Sequence, residues 1–248
     1  MTWKLKTSPM EIGDTIGNLQ IENIIATGSN CYIYYGKLNN GTVAIAIKTE
    51  IDDPNRTALS REAIVLKTVK NSNHFAKIIE IGQHGDYQYL ATDILGPSIR
   101  DLTNRLNPPK LSLLTLLKFA YQAFEALQSL HQAGFIHRAV ESKNFLIGYS
   151  KKQVGTIYLI DFSTCRKFNF NDTSRGNLQE QFKQAISNTN TNNASSQSIS
   201  NMPSIDQLKN IHQMAPEDDL LGIMYIISEY YTGNTTSDFK GITVCFAQ

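Results

Sequence analysis

The chain has 248 residues, of which 41% are apolar and 18% charged, and its 23 Lys and Arg face 22 Asp and Glu. So much apolar content excludes a wholly disordered chain. A net charge this close to zero leaves no long-range field to gather nucleic acid. In chain order, Leu19–Thr27, Tyr32–Lys37 and Thr42–Lys48 are β-rich runs, punctuated by Gly28 and by the turn signal Asn39-Asn40-Gly41. Asp53 and Pro54 read as an N-cap and first helical position. The helix that follows, about 55–70, places Leu59, Glu62, Leu66 and Val69 on one face. Strands are expected at Ala76–Ile81 and Tyr87–Leu95. Ser112 caps a helix with apolar positions Leu113, Leu116, Leu117, Ala120, Phe124 and Leu127, which Gly134 ends. Short strands follow at Asn144–Ile147 and Thr156–Asp161. Ser187–Asn201 (SNTNTNNASSQSISN) has almost nothing to bury, so a disordered loop is expected at about 183–204. Leu220–Tyr231 is apolar nearly all round, reads as a core helix, and stops at Gly233.

The strand 42–48 alternates. Val43, Ile45 and Ile47 share one face, and Ala44, Ala46 and Lys48 share the other. Two alanines leading to a lysine leave room for a flat ligand with a cation at its edge. Glu62 puts a carboxylate on an apolar helix face, where an unpaired charge is costly, and Lys48 is a natural partner. Taken singly, the two are also readable as a snorkelling lysine and a glutamate at a helix edge. Three further segments follow predicted elements: LGPSIRDL (Leu95–Leu102), FIHRAVESKNFLIG (Phe135–Gly148) and YLIDFSTCRKF (Tyr158–Phe168).

Together with Ala46-Ile47-Lys48, the order and spacing of these segments resemble a protein kinase domain. LGPSIRDL and FIHR…NFLIG resemble the casein kinase 1 family, a group that includes the tau-tubulin kinases. The resemblance implies an α+β, two-lobed fold: a small β-rich lobe with one helix over residues 1–95 and a mainly helical lobe over 96–248. It implies that ATP and Mg²⁺ are bound. Lys48 would hold the α- and β-phosphates and pair with Glu62, while Asn144 and Asp161 would hold the metal. Gly28 would lie over the phosphates and Ala46 over the adenine. Asp93, Ile94 and Leu95 would form the hinge, with Thr92 in the gatekeeper place. Leu66, His137 and Phe162 would stack between the lobes, and Asp219 would anchor the backbone of the catalytic loop.

The departures from the family pattern bear on activity. Where the family reads His-Arg-Asp-x-Lys-x-x-Asn, this chain reads His137-Arg138-Ala139-Val140-Glu141-Ser142-Lys143-Asn144. Ala139 cannot accept a proton, and losing a positioned base costs ~10²–10⁴ in rate. Glu141 puts a negative charge where the family has a cation for the transferring phosphoryl group. Of three glycines in the phosphate loop, Ala26-Thr27-Gly28-Ser29-Asn30-Cys31 keeps one. Cys31 is readable as a reactive thiol or as an inert small residue. Asp161-Phe162-Ser163 replaces Asp-Phe-Gly. Ala215-Pro216-Glu217 spells a kinase motif but sits too close to Asp219, so Pro-Glu-Asp-Asp reads as a helix start. The resemblance also implies several helices beyond Asp219, whereas the sequence runs only to Gln248, so the second lobe reads as truncated with its central helix partly uncovered.

The three cysteines, Cys31, Cys165 and Cys245, are scattered and suit a reducing compartment. No apolar run approaches the ~18 residues of a membrane span. The opening MTWKLKTSPM lacks the apolar core of a secretion signal. The expectation is a cytoplasmic protein, with the nucleus left open, that meets neither membrane nor nucleic acid. Three functions fit: an ATP-binding pseudokinase that acts on a protein partner or an active kinase relative; a weak Ser/Thr kinase acting on protein; and an interaction fragment that binds no nucleotide.

Overall fold

The computed structural model describes residues 10–28, 31–38, 41, 43–168 and 215–233. The expected loop at 183–204, with Thr42, His212 and Cys245, lies outside the described residues. The small lobe is an antiparallel sheet of β1 (Thr15–Ile16), β2 (Leu19–Thr27), β3 (Cys31–Leu38), β4 (Ala44–Ile51), β5 (Ile78–His84) and β6 (Tyr87–Asp93), in the order β1-β2-β3-β4-β6-β5. Alternation decides its faces. Ile45 and Ile47 are fully buried with Met10, Leu19, Ile21 and Tyr34, while Ala44, Ala46 and Lys48 on the other face stay half-buried.

Helix α1 (Ala58–Thr68) buries Leu59, Glu62 and Leu66, as their spacing predicts. It starts later than the sequence reading has it. Asp53 instead accepts from Asn55 N at 2.9 Å and Asn55 Nδ2 at 3.1 Å, and so closes a local turn. The N-cap position is Thr57, whose side chain makes no cap bond. The first-turn donor Leu59 N is met by Glu50 Oε2 of β4 at 2.9 Å. A carboxylate from another element thus does the work usually done by a cap residue.

The expected strand Tyr87–Leu95 breaks at Ile94. Leu95 opens β7 (Leu95–Ser98), whose partner across the register is Gly148. Helices α2 (Ile99–Thr103) and α3 (Leu113–Gln132) follow, then β8 (Phe135–Ile136), β9 (Phe145–Gly148), β10 (Ile157–Leu159), β11 (Arg166–Lys167) and α4 (Pro216–Thr232). The sequence reading misses α2, which Ser98 and Asp101 start with a reciprocal capping box. In α3 the buried face is Leu116, Phe119, Ala120, Ala123, Ala126, Leu127 and Leu130. Leu113 and Leu117, expected on that face, are 56% and 59% exposed. The buried face is instead the one that meets α4, β8 and β10. Pro216 occupies the first turn of α4, in agreement with the helix-start reading of Pro-Glu-Asp-Asp. α4 is not apolar-buried all round: Ile223, Ile226 and Tyr230 are buried, while Leu221, Met224 and Tyr231 are more than half exposed.

One apolar cluster joins the lobes. It runs from Leu59, Leu66 and Leu90 through Phe75 and Phe162 to Leu116, Phe145 and Ile223. Each such side chain contributes about 1.5–3 kcal/mol of burial. That cluster fixes α1 and β6 over the loops between β8 and β11.

Candidate functional site

Lys48 is carried by β4 opposite Ile33 and Leu90. Its Nζ lies 2.6 Å from Glu62 Oε2 and 3.6 Å from Asp161 Oδ1. Burial alone would lower the ammonium's pKa. The two carboxylates and the hydrogen bond to Glu62 outweigh it and push the group up to about 12. Lys48 is therefore a permanent cation between two elements of one lobe and a loop of the other. Asp161 has left-handed backbone angles, φ 65 and ψ 73. Burial raises its carboxyl, but Lys48 and the Ser163 hydroxyl and backbone N–H together hold it below the ordinary value. Asn144 lies beside it, because Ile160 N donates to Asn144 O at 3.0 Å across the end of the β9–β10 pair. The Asn144 side chain donates from Nδ2 to Ala139 O at 2.9 Å.

The loop 137–144 is held from several sides. Asp219 Oδ2 accepts from His137 N and pairs with His131 Nε2, and Oδ1 accepts from Arg138 N, all at 2.8 Å. Tyr230 Oη donates to Ser142 Oγ at 2.9 Å. Gly222 of α4 lies so close that a Cβ there would stand 2.6 Å from Val140 Cβ. His137 is fully buried and its ring meets Phe162 edge-on at 5.5 Å. Burial lowers the pKa of that imidazole. Phe162 shares the buried cluster with Leu66 and meets His137. Within this frame Ala139 presents a methyl group. Glu141 is not an isolated negative charge: its Oε2 lies 2.9 Å from Lys143 Nζ and 3.8 Å from Arg100 Nη2.

At the junction of the lobes, Thr92 faces Ala46 across the β4–β6 ladder. Asp93 N donates to Lys77 O and Asp93 Oδ2 accepts from Lys77 N, both at 3.1 Å. Ile94 lies between the two strands and Leu95 begins the next. Gly28 donates its N–H to Cys31 O at 2.8 Å, linking the end of β2 to the start of β3. A Cβ at Gly28 would stand 3.1 Å from Cys31 Sγ. The structure thus sets Lys48 between Glu62 and Asp161, with Asn144 and Ala139 on the adjoining loop.

The chain matches the family described as protein tyrosine and serine/threonine kinase over residues 19–213. It belongs to that family. It is 33% identical over 152 residues to a probable serine/threonine-protein kinase of Dictyostelium discoideum, covering 61% of this chain and 31% of the relative. It is 35% identical over 95 residues to each of two putative serine/threonine-protein kinases of Caenorhabditis elegans, covering 38% of this chain and 28% and 25% of those proteins. The match therefore spans less than a third of each relative's length. Kinase domains use ATP and Mg²⁺.

Among the described residues of this kinase domain, no three His, Cys, Asp or Glu side chains cluster as a metal site. Mg²⁺ is usually held by one or two carboxylates together with substrate phosphates rather than by a protein cage. No helix among the described residues is long and apolar enough to cross a membrane. Four residues that sequence reasoning misses complete the site. Arg61 donates to Ser163 O, and Ser163 Oγ donates to Asp161 Oδ1 at 2.7 Å. Arg100 and Lys143 meet Glu141. Only the sequence neighbourhood of Lys143 and Glu141 hints at any of these contacts. Cys165 is buried, and burial pushes its thiol pKa up, so it is unreactive.

Proposed function

We propose that this chain is a casein-kinase-1-like pseudokinase domain. Its cleft takes ATP with Mg²⁺ weakly, transfers no phosphoryl group, and serves a regulatory or scaffolding role toward a protein partner, an active kinase relative among the candidates, in the cytoplasm. Ala139 carries this reading. A methyl group neither accepts the proton of a substrate hydroxyl nor orients it. The surrounding loop keeps its hydrogen bonds, Asn144 Nδ2 to Ala139 O among them, so the functional group is lost while its frame remains.

In this reading Lys48 meets the α- and β-phosphates, and Glu62 holds Lys48 in place. Ala46 and the backbone of Asp93, Ile94 and Leu95 take the adenine, with Thr92 behind it and Gly28 over the phosphates. Asn144 and Asp161 would hold Mg²⁺, which when bound neutralises phosphate charge. A phosphate loop with one glycine approaches phosphates less closely, which supports weak affinity. A second reading, a weakly active Ser/Thr kinase acting on protein, is favoured by one observation: Lys143 and Arg100 offset the charge of Glu141 beside an assembled Lys48–Glu62–Asp161 group.

Thermal unfolding with and without ATP and Mg²⁺ tests the site. A cooperative melt that rises with Mg·ATP is expected, since ligand at ~100 times its Kd adds about 2.7 kcal/mol. A cooperative melt indifferent to nucleotide would replace this reading with an interaction fragment whose cleft is empty of function.

A further inference from the structure

Ser163 stands where the family pattern has glycine, and its side chain is engaged. Its Oγ donates to Asp161 Oδ1 at 2.7 Å. The same carboxylate oxygen lies 3.6 Å from Lys48 Nζ. The Ser163 backbone is itself held, because Arg61 of α1 donates through Nη1 to its carbonyl oxygen. A second Arg61 nitrogen donates to Thr57 Oγ1 at 3.2 Å, which steadies the guanidinium on its own helix. A glycine at 163 would keep the carbonyl contact and lose the hydroxyl.

We propose that Ser163 is a positioning residue that reduces the need for a divalent cation in nucleotide binding, by engaging Asp161 together with Lys48 so that Lys48 meets the phosphates. This rests on the nucleotide-site reading above. A hydroxyl bonded to a carboxylate is a charge-assisted, short hydrogen bond. A cation taking that oxygen must share it with the hydroxyl and stand near a permanent ammonium. Mg²⁺ dehydrates reluctantly and demands near-ideal geometry, so a carboxylate with one oxygen already engaged is a poorer ligand for it. Lys48 carries no such handicap toward phosphate.

The test is calorimetric titration of the full chain with ATP, once in Mg²⁺ and once in EDTA. The wild type and the variants Ser163→Ala, Ser163→Gly and Ser163→Thr are compared, each checked for a cooperative melt without nucleotide. For the wild type, the two affinities are expected within about threefold of each other. Removing the hydroxyl in Ser163→Ala or Ser163→Gly should raise the advantage of Mg²⁺ over EDTA by about tenfold, the worth of one hydrogen bond to a charged group. Ser163→Thr, which keeps the hydroxyl, should behave as the wild type. A large Mg²⁺ advantage in the wild type overturns the proposal whether or not the variants fold. An advantage unchanged by Ser163→Ala overturns it as well. ATP binding in neither buffer overturns the nucleotide-site reading, and this proposal falls with it.

Discussion

On the nucleotide side of the cleft, Lys48 meets both Glu62 and Asp161, the side chains that phosphate and metal chemistry need. On the transfer side, the loop from His137 to Asn144 is held as firmly yet presents Ala139 and Glu141. The contrast separates two properties that are usually met together. The loop's shape comes from Asp219, which receives His137 N, Arg138 N and His131, and from the close approach of Gly222 to Val140. None of these contacts involves the side chain at 139. A loop can therefore lose its chemistry and keep its geometry, whereas on the nucleotide side the charged side chains are themselves the structure.

Asp219→Ala should break that contrast most severely. Three donors lose their acceptor at a site only 1% exposed, and a cost on the order of 3–5 kcal/mol is expected as a fall in the urea midpoint. Lys48→Met comes next. It leaves Glu62 unpaired in a buried place, and because Lys48 keeps some solvent contact the expected cost is about 2–3 kcal/mol, below the range for a fully buried pair. The same variant should abolish the rise in melting temperature on adding Mg·ATP. Gly222→Ala sharpens the comparison: its Cβ would meet Val140, and overpacking costs about 1–3 kcal/mol. This variant should disturb the loop while leaving the nucleotide-induced shift in place, so a lost shift would mean that the two sides are one unit.

The smallest effect is in the pH profile of stability. Asp161 is held below its ordinary 3.8, so its contribution is present above that value and is lost as pH falls. His137 is held below its ordinary 6.5, so stability also declines as pH drops beneath 6.5 and the buried imidazole must charge. Lys48, pushed up to about 12, contributes in full below its ordinary 10.5, and that contribution is lost as pH rises toward 12. A plateau between these two falls is expected in chemical denaturation. In Lys48→Met the alkaline fall across that window should shrink.

Much of the fold is legible because it is written locally. The alternation of Ile45 and Ile47 against Ala46 and Lys48, the spacing of Leu59, Glu62 and Leu66, and Ser112 ahead of α3 each declare a face or a boundary within a few residues. Asp219 and the stack of Phe162 on His137 follow from the resemblance and are present in the structure. What stays hidden depends on partners far along the chain. The start of α1 is set by Glu50 rather than by Asp53-Pro54. The buried face of α3 is chosen by α4 and the strands, which turn Leu113 and Leu117 outward. Glu141 reads as an unopposed charge in sequence although Lys143 is two residues away, and its second cation, Arg100, comes from a different element. The pairing of His131 with Asp219 is invisible in sequence because the two lie 88 positions apart. At Ser163 the sequence shows only that serine replaces glycine, since the acceptor of its hydroxyl is fixed by the left-handed turn at Asp161.

The central claim is that the cleft holds nucleotide without transferring phosphate. The most direct measurement is transfer of label from γ-labelled ATP to dephosphorylated casein in Mg²⁺, by the wild type, by Asp161→Ala, and by the double variant Ala139→Asp with Glu141→Lys. The account predicts no transfer above background from the wild type and measurable transfer from the double variant. Transfer by the wild type that disappears in Asp161→Ala would contradict it and make the chain an active kinase.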